Sequence, residues 1–161
     1  MAGNAAQEAI AGLQVIRALA AGPAPLAGAR AAGRQLEMDV KLILIRKQHK
    51  AGTPTPSAPG EPPAMITGDL LDSVESVTYQ VDAGVAVALI SPDTVYAVIQ
   101  EYGGTITAEN FPQLGNPLRG WFGPSVRLPA RPYMALALAE ALASGSLAQV
   151  AEQAFTVTLG F

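Results

Sequence analysis

The sequence predicts an α+β chain: an N-terminal helical arm, an antiparallel β-sheet carrying a long loop, and a C-terminal helix packed on the sheet. Apolar residues recur at helical spacing through the first fifty positions, and beyond Ser73 they alternate. Between the two regimes, Pro54, Pro56, Pro59, Pro62 and Pro63 with Gly52 and Gly60 exclude a regular helix, because each proline removes an amide donor and restricts the residue before it. The expected organisation is one structural domain with a helical arm over 1–50, a connector over 51–66 and an α+β core over 67–161.

Asn4 and Gln7 form a capping-box pattern, and Ile10, Leu13, Ile16 and Leu19 trace a first amphipathic helix up to Gly22-Pro23. A second helix is expected to open at Pro25, which suits a first turn, and to run through Leu36, Val40, Ile43 and Leu44 toward His49, with Gly52 as its stop. Met38, Val40, Leu42 and Leu44 also alternate as a strand would. The unbroken pattern from residue 25 and the helix-favouring Arg, Gln, Glu and Lys side chains decide for helix. Arg46, Lys47 and Lys50 then fall where the helix dipole favours cations.

After the connector, Thr67 or Asp69 can cap a single turn carrying Leu70, Leu71 and Val74. Residues 74–82 and 85–90 read as two strands around an Asp82-Ala83-Gly84 turn, a β-hairpin. Ser91-Pro92 is a capping pair for a short helix whose stripe is Val95, Tyr96, Ile99 and Tyr102, ended by Gly103-Gly104. Residues 105–126 read as a long loop or loosely paired hairpin pinned by Phe111, Trp121 and Phe122. Leu128 to Tyr133 lead into a helix over 134–143, residues 146–154 are expected to add a turn or two, and Phe155 to Leu159 have strand composition.

Composition excludes several function classes. Half the residues are apolar but only 6% are aromatic, so a core would be built from Ala, Val, Leu and Ile. The apolar run Met38–Ile45 contains Asp39 and Lys41 and falls short of the roughly 20 residues that cross a membrane. Glu8, Gln14 and Arg17 interrupt any signal-like segment, so no secretory signal is expected. No cysteine is present, which removes disulfides, thiolate chemistry and thiol metal sites. Residues 1–50 hold seven basic and three acidic side chains, 7 − 3 = +4, and the remainder three and ten, 3 − 10 = −7. The net charge of −3 argues against dedicated nucleic-acid binding, whereas the split suits a basic surface meeting an acidic one on a neighbour. His49 is the single histidine and lies at a basic helix end without a nearby carboxylate, a poor general base. Asp69 and Asp72 share a helical face without a third ligand, so no metal and no cofactor is expected.

Four pieces occur in a definite order: PP…TGDLLDSV over 62–74, the hairpin, VYAVIQEYGGT over 95–105 followed by a loop with Trp121, and LPARPYM over 128–134. Over about residues 57–143 this resembles the tail-completion and neck proteins of long-tailed bacteriophages, also described as virion morphogenesis or minor tail proteins. Thr67, Gly68, Leu70 and Ser73 match the segment entering the sheet in that family. Tyr96, Glu101, Tyr102 and Gly103 match the helix and its glycine stop, and Arg131, Pro132 and Tyr133 the start of the closing helix. The helical arm and the terminal FTVTLGF lie outside the match.

The resemblance implies a non-enzymatic virion protein, made in the host cytoplasm, that sits as a ring at the head–tail junction while DNA passes through it. Its partners would be further copies of itself, with a hexamer expected, and other neck and tail proteins, without specific DNA recognition and without a membrane. The second helix and the 105–126 loop are expected to supply ring contacts. The acidic excess after residue 50 suits a lining that does not grip phosphate. The competing reading is a DNA-binding or packaging accessory acting through the basic helix 30–50. The expected interface residues are Tyr96, Glu101, Tyr102, Trp121, Phe122, Arg131 and Tyr133. The Arg131 guanidinium, held between prolines, is expected to pair with Glu101 or with a neighbour's carboxylate.

Overall fold

The computed structural model describes Gln14 and residues 21–50, 57–107 and 125–160. They form an α+β arrangement with helices α1 (Ala24–Leu44), α2 (Asp69–Asp72), α3 (Ala97–Tyr102), α4 (Met134–Ser144) and α5 (Ser146–Leu159). The strands are β1 (Val74–Asp82), β2 (Val85–Pro92), β3 (Gly104–Thr107) and β4 (Ser125–Leu128). They make two separate two-stranded sheets, β1–β2 and β3–β4, where the sequence suggested one sheet. The first expected helix lies outside the described residues apart from Gln14 and Ala21. Two units interleave along the chain, one taking residues 1–38, 75–91 and 140–161, the other 39–74 and 92–139.

In the first unit, glycines on α1 set how closely its neighbours approach. A Cβ on Gly33 would stand 2.8 Å from the Cβ of Ala88 and 3.6 Å from that of Ser76, so the β1–β2 hairpin rests directly on the helix. A Cβ on Gly28 would stand 3.1 Å from the carbonyl oxygen of Ala151 in α5. Five residues turn a helix through about 140° net, so α5 and the hairpin meet different sides of α1. Glu37 fixes the hairpin: its Oε2 accepts the Ser76 amide at 3.0 Å and the Ser76 hydroxyl at 2.7 Å.

The hairpin turn decides which side chains share a face. Gly84 has φ +79°, and among the described residues no non-glycine has positive φ, so the turn is not the two-residue type that needs both central residues there. With Gly84 alone in the left-handed region, the turn leaves Val77, Tyr79 and Val81 exposed together with Val85, Val87 and Leu89. Ser76, Thr78, Ala86, Ala88 and Ile90 take the covered face.

The second unit begins with the end of α1. The helix stops at Leu44, five residues short of His49, and the chain extends to form a parallel bridge between Gln48 and Met65. The His49 amide donates to the Met65 carbonyl and the Met65 amide to the Lys47 carbonyl, both at 2.9 Å. The connector therefore supplies the backbone partners that another helical turn would have supplied. Arg46, Lys47 and Lys50 lie beyond the helix, and only Lys41 stands in its last turn. Residues 58–61 form a reverse turn with Gly60 at φ +81°, and the Lys47 ammonium donates to the Glu61 carboxylate. That bond, with the Ala58 amide, holds the Glu61 carboxyl below its ordinary range.

The expected turn at Leu70 is α2, with Gly68 (φ +97°) in the capping position and the Thr67 hydroxyl accepting the Asp69 amide at 3.4 Å. Ser91-Pro92 does not cap a helix: both residues finish β2, the Asp93 amide bonds to the Ser73 carbonyl, and α3 starts only at Ala97. At the base of the 105–126 segment the paired alternative holds, with Gly104 opposite Leu128 and Thr107 opposite Ser125. Phe111, Trp121 and Phe122 lie outside the described residues. The residues Phe155 to Leu159 are helical, not a strand. Their threonines turn back on the helix, Thr156 donating to the Glu152 carbonyl at 2.7 Å and Thr158 to that of Ala154 at 2.8 Å, so their hydroxyls are satisfied within it.

The Gly33 contact gives a direct test. An alanine would gain about 1 kcal/mol of helix propensity, but its Cβ would stand 2.8 Å from that of Ala88, closer than such atoms approach, so the hairpin would have to shift; a leucine would wedge it from the helix at a cost of about 1–3 kcal/mol. Both variants are expected to lower the thermal midpoint, Gly33→Leu by several degrees and more than Gly33→Ala, as read by calorimetry.

Candidate functional site

A helix leaves its first amides without intrahelical partners. In α4 they are satisfied by one side chain from α3. Glu101 Oε2 accepts the amides of Tyr133 at 2.8 Å and Met134 at 3.0 Å, and Oε1 accepts that of Ala135 at 2.9 Å. A carboxylate at a helix N-terminus also meets the positive end of the dipole, so a charge only 7% exposed is compensated by three charge-assisted bonds.

The segment 128–131 is clasped beside this cap. The Arg131 amide donates to the Gln100 carbonyl at 2.7 Å, and the Gly60 amide donates to the Ala130 carbonyl at 2.9 Å. The Arg131 side chain, also 7% exposed, donates from Nε to the Ser57 carbonyl at 3.0 Å. Gly103 closes the clasp. With φ +69° and ψ −177° it occupies a region open essentially to glycine, and a Cβ there would stand 2.6 Å from the Ala130 nitrogen. The pieces 57–60, 100–103 and 128–135 thus meet in one buried polar junction.

The expected Arg131–Glu101 ion pair is replaced by this arrangement. The two residues belong to one junction, but each bonds to backbone: Glu101 to three amides, Arg131 through Nε to one carbonyl. Tyr133 is not a surface anchor either, since none of it is exposed. Its hydroxyl has no hydrogen-bond partner, and burial, followed by the charge of Glu101, pushes the phenol well above its ordinary range. Of the other expected interface residues, Tyr102 is 78% exposed beside the clasp. Tyr96 is half-buried and lines a cavity of about 330 Å³ with Leu44, Met65, Ile66, Leu70 and Gln100. Burial, then the charge of Asp69, raises its phenol. Trp121 and Phe122 lie outside the described residues.

His49 is half-buried and held by its backbone. Among the described residues no three histidines or carboxylates are gathered to hold a metal, and no single helix is long and apolar enough to cross a membrane. Sequence reasoning missed Ser57, which acts through its carbonyl and so leaves no trace in side-chain type. It also missed the outward face of the hairpin, although bulky and small residues visibly alternate across 76–89. Comparison with protein-family models, with curated proteins and with solved structures finds no match.

Glu101→Ala would strand three amides, two of them on Oε2, and is expected to cost at least about 3 kcal/mol in denaturant unfolding. Glu101→Gln, which keeps one carbonyl acceptor, is expected to lose about half as much.

Tyr133→Phe removes a buried hydroxyl without a partner and is expected to leave neutral-pH stability within about 0.5 kcal/mol. Because the folded-state phenol titrates above the unfolded one, Tyr133 supports the fold below the ordinary tyrosine value of about 10 and loses that contribution as pH rises beyond it. Unfolding at alkaline pH should accordingly depend less steeply on pH in Tyr133→Phe than in the parent.

Proposed function

We propose that this protein is a structural subunit of a bacteriophage head–tail junction, a neck or tail-completion protein that closes into a homo-oligomeric ring, six copies being the expected number, around the path of the DNA. It acts by packing and not by catalysis, needs no cofactor, and contacts other neck and tail proteins. The observation that carries the reading is the junction itself. The residues that bear the resemblance, Glu101 and Gly103 in one motif and Arg131 to Tyr133 in the other, depend on one another physically. Motifs that interlock in this way belong to a shared architecture more than to chance, and the three-amide cap explains why a glutamate stands two residues before that glycine.

The DNA-accessory reading is weaker. It needs a continuous basic helix over 30–50, whereas α1 ends at Leu44 and Lys47 is engaged by Glu61. Immunogold labelling of particles released from the producing host should place this protein at the junction of head and tail, several copies per particle. Label confined to fibres, capsid faces or host debris would overturn the reading, and salt-dependent binding of duplex DNA by the isolated protein would favour the accessory instead.

A further inference from the structure

We propose that the outward face of the β1–β2 hairpin is a contact surface for a second copy of this chain, the two hairpins stacking face to face. Val77, Tyr79, Val81, Val85, Val87 and Leu89 share this face and are 39–64% exposed. Together they present a few hundred Å² of contiguous apolar surface, the upper end of what a monomer shows and a large part of the roughly 800 Å² per partner that a stable interface buries.

The exposure is built into the unit. A one-residue slip in register would turn the bulky side chains inward. The chain instead places Ala88 and Ser76 against Gly33, where nothing larger fits, and ties Ser76 to Glu37 through two hydrogen bonds. Packing against α1 holds the hairpin, and its bulky apolar side chains are left on the opposite face.

Charge selects the cover. The only ionisable side chains between Glu75 and Ser91 that carry charge at neutral pH are Glu75 and Asp82, both acidic, at the two ends of β1. Nucleic acid and anionic lipid are therefore disfavoured, and no cation is present to bind an acidic partner. An uncharged apolar face meets a copy of itself without opposing any charges in its centre, and two sheets pack in this way about 10 Å apart. The proposal goes beyond the ring: a face-to-face contact is two-fold, so it joins chains in pairs, and a ring containing it is a ring of dimers.

The chain has no cysteine, which makes the test direct. In the full-length protein, Tyr79→Lys and Val87→Lys are expected to weaken self-association by about 100-fold or more in sedimentation equilibrium, with the thermal midpoint nearly unchanged. Tyr79→Cys or Val87→Cys should form an intermolecular disulfide under mild oxidation, while Val157→Cys, 73% exposed on α5, should not. The proposal is overturned if the parent protein stays monomeric, if the lysine variants associate as the parent does, or if they dissociate yet neither hairpin cysteine cross-links to its own copy, which would mean a different surface covers the face. Labelling at the head–tail junction reads the neck assignment separately, so failure of the pair leaves that assignment standing.

Discussion

The three amides at the start of α4 are the constraint on which the second unit depends. A helix start that is buried cannot turn to water for its partners, and the lead-in Leu-Pro-Ala-Arg-Pro-Tyr offers no Ser, Thr, Asp or Asn to cap it from within. The acceptor must come from another element, and Glu101 supplies it. This places the end of α3 against residues 131–135, which leaves room at position 103 for glycine alone. Arg131 then carries the same junction outward to the connector through the Ser57 carbonyl. A buried carboxylate and a buried guanidinium would each be expensive if isolated. Here the carboxylate is met by three backbone amides and the guanidinium, through Nε, by one backbone carbonyl.

The first unit solves a different problem with smaller parts. Gly28 and Gly33 let α5 and the hairpin approach α1 to backbone range, and the residues facing Gly33 are Ala88 and Ser76. Close approach of this kind requires small side chains on the covered face of the hairpin. In an alternating strand the next residues point to the other side, and here those residues are Val77, Tyr79, Val81, Val85, Val87 and Leu89.

Periodicity carried most of the fold. The change from 3.6 to 2 at Ser73 located the hairpin, the glycine pair at 103–104 located the end of α3, and Pro-rich residues 128–132 located the start of α4. The failures share a form: context overrode local preference. Residues 45–49 are good helix material but found Met65 instead; Ser91-Pro92 has the chemistry of a cap but continued the ladder; FTVTL has strand composition but continues the helix that starts at Ser146. The site was legible in part. The sequence singled out Glu101, Gly103, Arg131 and Tyr133, yet it assigned Glu101 and Arg131 to each other, because side-chain identity shows charge and not which backbone amides will be orphaned nearby.

This distinction bears on what a motif can say about a partner. Glu101, Gly103, Arg131 and Tyr133 are almost wholly inside the chain or locked to backbone, and their identities follow from the requirements of one helix start and one close crossing. Such residues mark an architecture. Their presence does not by itself identify a partner. The side chains left accessible are elsewhere: Tyr102, which stands in solvent next to the clasp, those lining the cavity with Tyr96, and those on the apolar face of the hairpin. The buried junction keeps the segment leading into α4 in one position, so that Tyr102 is presented from a fixed backbone.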